Sequence, residues 1–143
     1  MDATSGVLAE FEGCLERLRM DHVDLLLLHW PGPPPGGRPN RPNNLTPAQH
    51  VAKRLAMWRA LEQIYAAGKA KAIGVSNYTI AHLEALLPHC TVRPMVNQIE
   101  CHLRSAQRPL VEFCQENHRT HRVLAAQGRR PGRPCARRHC SVA

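Results

Sequence analysis

The stretch Val23-Asp24-Leu25-Leu26-Leu27-Leu28-His29-Trp30-Pro31 decides how this chain is organised. Five apolar residues surround one Asp and run into a His-Trp-Pro turn. A continuous apolar run bounded by turn residues suits a strand covered on both faces, as in parallel α/β sheets. Its carboxyl end then carries an imidazole and an indole, a proton-handling group beside a flat apolar surface. Parallel α/β folds build their sites at that end. A histidine there also fits a plain hydrogen bond to a neighbouring loop, so the rest of the chain has to decide.

Outward from this strand, helix and strand patterns alternate. Before it, Leu8, Phe11, Leu15 and Leu18 recur every three or four residues and predict a helix from about Gly6 to Met20. After it, residues 31–44 hold six prolines, three glycines and three asparagines, which predicts a surface loop that is neither helix nor strand. Thr46-Pro47 then reads as N-cap and first helical position. Val51, Leu55, Trp58, Leu61, Ile64 and Tyr65 keep one face of this helix apolar until Gly68 ends it. Residues 70–75 form a second expected strand, closing on Ser76-Asn77-Tyr78. Thr79 caps a third helix, in which Leu83, Leu86 and Leu87 pack inward and Pro88 ends the run. Residues 95–99 form a third strand, with Asn97, Gln98 and Glu100 at its end. A fourth helix over about 106–117 presents Leu110, Phe113 and Cys114. The order α-β-α-β-α-β-α predicts an α/β fold with a parallel sheet.

A length of 143 residues corresponds to at most one domain. The formal charge of +8 points to nucleic acid or a membrane surface, but its distribution argues otherwise. Residues 119–143 carry seven arginines and no acid, leaving 12 basic against 11 acidic groups before them. The body is nearly neutral. The start Met1-Asp2-Ala3-Thr4 lacks the basic and apolar regions of a signal peptide. No run reaches the ~18 apolar residues of a membrane span. The six cysteines (14, 90, 101, 114, 135 and 140) show no paired spacing, which predicts reduced thiols in a cytoplasmic protein.

Beyond His118 the pattern collapses. Val123-Leu124-Ala125-Ala126 has the composition of a strand stub, and an Arg/Pro/Gly-rich run without periodicity follows. The division expected is therefore 1–118 as the folded body and 119–143 as a disordered tail. A shifted reading frame of GC-rich coding sequence would produce such a composition. Two other readings stay open: an arm that contacts RNA or phosphate, and a metal site from Cys135, His139 and Cys140 that has no matching second half.

The three expected strands end in His29-Trp30, Ser76-Asn77 and Asn97-Gln98, and a parallel sheet brings these ends to one rim. A hydroxyl and carboxamides are too weakly acidic or basic for proton transfer, so they suit holding a ligand. A primary carboxamide donates and accepts together, and another amide is its natural complement. Ser-Asn after a strand is also ordinary turn chemistry. Their occurrence together with His-Trp favours the functional reading.

Val23-Asp24-Leu25 with His29-Trp30-Pro31, Trp58-Arg59-Ala60-Leu61-Glu62, Gly68 through Tyr78, Val96-Asn97-Gln98-Ile99-Glu100 and Leu110-Val111-Glu112-Phe113-Cys114 together resemble the aldo-keto reductase superfamily over about residues 7–118, with motifs in family order. The resemblance implies part of a TIM (β/α)8 barrel and a parent activity of NADPH-dependent reduction of aldehydes and ketones. It implies that His29 is the active-site histidine facing the substrate carbonyl and that Trp30 lines the substrate pocket. Ser76, Asn77 and Gln98 would hold the nicotinamide carboxamide of NADP(H). Asp24 matches a structural position. Cys101-His102-Leu103 departs from the family pattern, with Leu103 where proline is common, and reads as a loop variation.

A full barrel needs about 250 residues. Matched to the family, this chain supplies about three strands, the fourth to the sixth, while the catalytic Asp, Tyr and Lys belong to the first three. Tyr65 and Tyr78 fall within a helix and after the carboxamide motif, where neither replaces the general acid. The expectation is a reductase fragment, inactive alone and doubtful as a binder of NADP(H) by itself. The alternative is a non-catalytic regulatory or binding subunit derived from a reductase.

Overall fold

In the computed structural model, Leu25–Leu28 forms β1, with Leu26, Leu27 and Leu28 fully buried. Burying side chains of this size stabilises the fold by roughly 1.5–3 kcal/mol each. The structure describes residues 3–32, 36–38, 41–43, 45–103, 105–117, 122–126 and 139–142. Ile73–Ser76 is β4, buried at every position, and Val96–Glu100 is β5. The three strands run parallel, with Leu28 opposite Val75 and Val75 opposite Asn97. Val23 and Ala70 add an isolated parallel bridge ahead of β1 and β4, where the sequence predicts strand. Asp24, the one acid in the opening motif, is exposed there and pairs with Lys71 at 2.8 Å.

The helices follow their predicted signals. α1, Ala3–Leu18, buries Val7, Phe11 and Leu15, a stripe at intervals of four; Leu18, expected in the stripe, is 44% exposed. α2, Pro47–Ala66, begins with Thr46 as N-cap and Gln49 completing the capping box. It ends two residues before Gly68, whose φ of 71° suits glycine. α3, Ile80–Leu86, is capped by Thr79 with His82 as its reciprocal partner, and Pro88 sits in the 3-10 turn that follows. α4, Arg108–Asn117, buries Leu110 and Cys114. Trp58 and Leu61 of α2, Leu83 and Leu86 of α3 and the α1 stripe form one core with Leu26, Leu28, Ile73, Val75 and Ile99.

Three expectations are corrected. Residues 31–44 are not wholly irregular: β2, Gly36–Arg38, pairs antiparallel with β3, Arg41–Asn43. A two-stranded ribbon has only edges, so Pro42 is tolerated in it. The tail is not without structure throughout. Arg122–Ala126, where the sequence has a strand stub, forms β6 against β5, and His139–Val142, not expected as a strand, forms β7 against β1, both parallel. The sheet order is therefore β6-β5-β4-β1-β7. Three strands alone leave open rows of N–H and C=O on β1 and β5, and main-chain pairing fills them without needing a side-chain pattern. Other tail residues lie outside the described ones. Finally, Cys14 is disulfide-bonded, against the expectation of six reduced cysteines. α1, which carries it, lies beside β7, whereas the sequence placed the tail apart from the folded body.

Candidate active site

Strand register puts two of the expected residues side by side, and a third follows the neighbouring strand. Side chains alternate between the faces of a strand. Leu28, Val75 and Asn97 are aligned across β1, β4 and β5, and Val75 packs with Ile73 and Ile99 in the helix-covered core. The next pair, one residue on, is therefore Ser76 and Gln98 on the opposite face. Ser76 and Gln98 are register partners, and His29 follows β1 immediately. His29 and Trp30 are exposed at this rim, their rings 5.8 Å apart and tilted by 32°. The turn after them is held by Arg54 of α2, whose Nη1 donates to the Pro31 carbonyl at 3.2 Å.

Asn77 breaks the strand. Its φ of 62° is left-handed, a conformation Asn accepts more readily than other side chains. The turn carries its carboxamide back over β1, so that Nδ2 donates to the His29 carbonyl at 2.9 Å and to Ser76 Oγ at 3.1 Å. Ser76 Oγ donates to the Gln98 carbonyl at 3.0 Å, and the Asn77 N–H donates to the same oxygen at 2.9 Å. The three strand ends thus form one hydrogen-bonded unit. Among the described residues, the Gln98 side chain has no hydrogen-bond partner and Asn77 Oδ1 accepts none. The rim therefore presents one carboxamide with donors and acceptor open, one carboxamide oxygen, and a hydroxyl lone pair. That set complements a ligand carboxamide.

Asn97 parts from its neighbour Gln98. The sequence grouped both carboxamides at the ligand-holding rim, but alternation turns Asn97 to the core side, where it is 1% exposed. Its Nδ2 donates to the Tyr78 carbonyl at 3.0 Å. Sequence reasoning also took Trp58 only as a core residue and overlooked Glu62. Trp58 Nε1 donates to the Val92 carbonyl at 3.1 Å, while Glu62 Oε1 accepts the N–H groups of Thr91 and Val92 at 2.7 and 2.8 Å. This clamp from α2 sets the chain entering β5. The spacing of four between Trp58 and Glu62, one face of a helix, was the available signal.

A profile of the Aldo/keto reductase family matches residues 2–121. The chain belongs to this family. As an aldo-keto reductase chain it is 44% identical over 108 residues to "Glyoxal reductase" of Bacillus subtilis, covering 76% of this chain and 33% of that protein. It is 44% identical over 107 residues to "D-galacturonate reductase" of Hypocrea jecorina, covering 71% and 35%. Among solved structures, an aldo-keto reductase of the silkworm Bombyx mori superposes with a TM-score of 0.69 at 35% identity, covering 87% of this chain and 36% of that one. An aldo-keto reductase complexed with NADPH gives 0.65 at 37%, covering 80% and 32%. The chain thus spans about a third of the length of the relatives it matches, and its fold is the corresponding part of the (β/α)8 barrel. Among the described residues, no helix is long and apolar enough to cross a membrane, and no group of three metal-ligating side chains occurs. Whether Cys135, His139 and Cys140 form a metal site, and whether the arginine run is an arm for RNA or phosphate, concerns side chains outside the described residues.

Proposed function

We propose that this chain carries the histidine and the nicotinamide-binding rim of an NADPH-dependent reductase of aldehydes and ketones. The observation that carries this reading is the joining of the three strand ends, Asn77 Nδ2 donating to the His29 carbonyl and Ser76 Oγ and the Asn77 N–H donating to the Gln98 carbonyl. NADPH, when bound, would supply hydride to the substrate carbonyl. Gln98 and the oxygens of Asn77 and Ser76 would hold its carboxamide, fixing which face of the ring is turned toward His29. His29 would orient the substrate carbonyl, and Trp30, 52% exposed, would cover the apolar part of the substrate. Small carbonyls of the kind that the Bacillus subtilis relative is named for are the substrate class this reading takes.

The same reading holds that these 143 residues do not turn over alone. Reduction needs a proton donor near the carbonyl oxygen, and neither tyrosine supplies one. Tyr65 lies near the end of α2, ahead of β4 and away from the rim. Tyr78 is fully buried in the core, and burial pushes its phenol well above the usual range. A cytoplasmic setting rests on the unpaired cysteine spacing; the disulfide at Cys14 counts against it.

The test is NADPH oxidation by the purified chain with glyoxal or a simple aldehyde. The expected result is a rate at the uncatalysed background. Turnover on the order of 1 s⁻¹ or faster would contradict the incomplete-site part of this reading.

A further inference from the structure

We infer that Asn97 is a positioning residue that holds the Ser76-Asn77-Tyr78 turn in the shape its rim groups need. This deepens the reading above and rests on it for the identity of the ligand. The turn is tied to β1 and β5 on its rim side by bonds at Asn77 and Ser76. On its core side, the bond from Asn97 Nδ2 to the Tyr78 carbonyl is the side-chain tie that the structure shows. That bond is buried, so no water replaces it when it is lost, and the Tyr78 carbonyl would be left unpaired.

A second observation marks Asn97 as kept for this bond rather than for general polarity. Its own Oδ1 is buried without a hydrogen-bond partner among the described residues. A leucine would avoid that cost but would lose the donor to the Tyr78 carbonyl and the side-chain interaction with the Cys114 thiol. The donor acts one residue beyond Asn77, whose left-handed φ is the least tolerant point of the turn. Asn97 touches neither ligand nor reacting atoms. It fixes, through the Tyr78 carbonyl, the path by which Asn77 reaches back to His29.

Asn97→Asp tests this on the full chain. The shape is kept, but an ionised carboxylate cannot donate to a carbonyl, whereas a protonated one can. Cys114 faces position 97 with its thiol held up by burial, and Tyr78 is likewise held neutral. His82, on the Tyr78 ring, also changes charge in the acid range, so the new carboxyl is read from the difference between N97D and N97L, which both keep His82. The readout is solvent exchange of the Asn77 side-chain amide by NMR. In N97D that exchange should be roughly tenfold faster than in the parent chain at neutral pH, the size expected for losing one buried bond, and the ratio to the parent at the same pH should fall back toward one as the pH falls. N97L should show the same acceleration without recovery at low pH. Ile99→Val, a core trim on the same strand, should leave it unchanged. If Asn77 exchange in N97L or N97D stays within about twofold of the parent chain, the inference is wrong. An NADPH titration followed on the Gln98 amide separates the two ideas. A silent parent chain with an altered Asn77 in N97D would remove the cofactor reading and keep the positioning role. Equal responses in parent and variant, with Asn77 unaltered, would do the reverse.

Discussion

The Asn77 carboxamide donates to the main-chain carbonyl of His29 at 2.9 Å, joining the ends of β4 and β1. The residue read as a holder of the cofactor amide is thus also the brace of the histidine. Asn77→Gly removes the brace while suiting a φ of 62°. Asn77→Ala removes it and adds backbone strain of roughly 1–2 kcal/mol. Urea unfolding should therefore rank Ala below Gly in stability, by about 1 kcal/mol. Equal stabilities would mean that the turn relaxes out of the left-handed region.

Gly74 is where the sheet is tightest. A Cβ there would lie 2.6 Å from the Val96 carbonyl oxygen and 2.9 Å from a Leu27 methyl. Gly74→Ala should cost about 1–3 kcal/mol as an overpacked core site. Gly6, in α1, would meet nothing within 4 Å, and Gly6→Ala should stabilise by about 0.5–1 kcal/mol. Thermal melts of the two variants should move in opposite directions.

The clamp from α2 gives a third expectation. Glu62→Ala leaves the Thr91 and Val92 N–H groups without their carboxylate and should cost about 1–3 kcal/mol. Glu62→Gln keeps an acceptor oxygen and should cost less. If denaturant unfolding shows the two variants equal, the carboxylate does not hold this loop.

His82 gives the chain a pH dependence. Its ring nitrogen accepts the Thr79 N–H at the start of α3, which requires the neutral ring. Burial, and then the Arg54 charge, hold His82 below its ordinary value of 6.5. The unfolded chain therefore binds more protons near that value. Stability from this group is present above pH about 6.5 and is lost as pH falls below it toward the depressed folded value. His82→Gln keeps a capping acceptor without titrating. It should flatten the stability curve over that interval, as measured by urea unfolding at several pH values.

Much of this was legible in the residues. Thr46, Thr79, Gly68 and Pro88 mark helix ends through local chemistry that a sequence carries openly. The leucine run at 25–28 identifies a strand buried on both faces, and parallel order brings His29, Ser76 and Gln98 to one rim. What stayed hidden depends on pairing between distant segments. The β2–β3 ribbon and β7 use main-chain bonds that leave no apolar pattern. The opposite facing of Asn97 and Gln98 depends on which residue of β4 meets which residue of β5.

Ser76, Asn77 and Gln98 are proposed as an amide-holding surface beside His29. The direct measurement is the side-chain amide spectrum of the ¹⁵N-labelled chain during titration with NADPH. The account predicts that the Gln98 and Asn77 carboxamide signals shift together and saturably, and that Gln98→Ala abolishes the Asn77 shift. No movement of either signal at millimolar NADPH, or shifts confined to residues away from the rim, would contradict it.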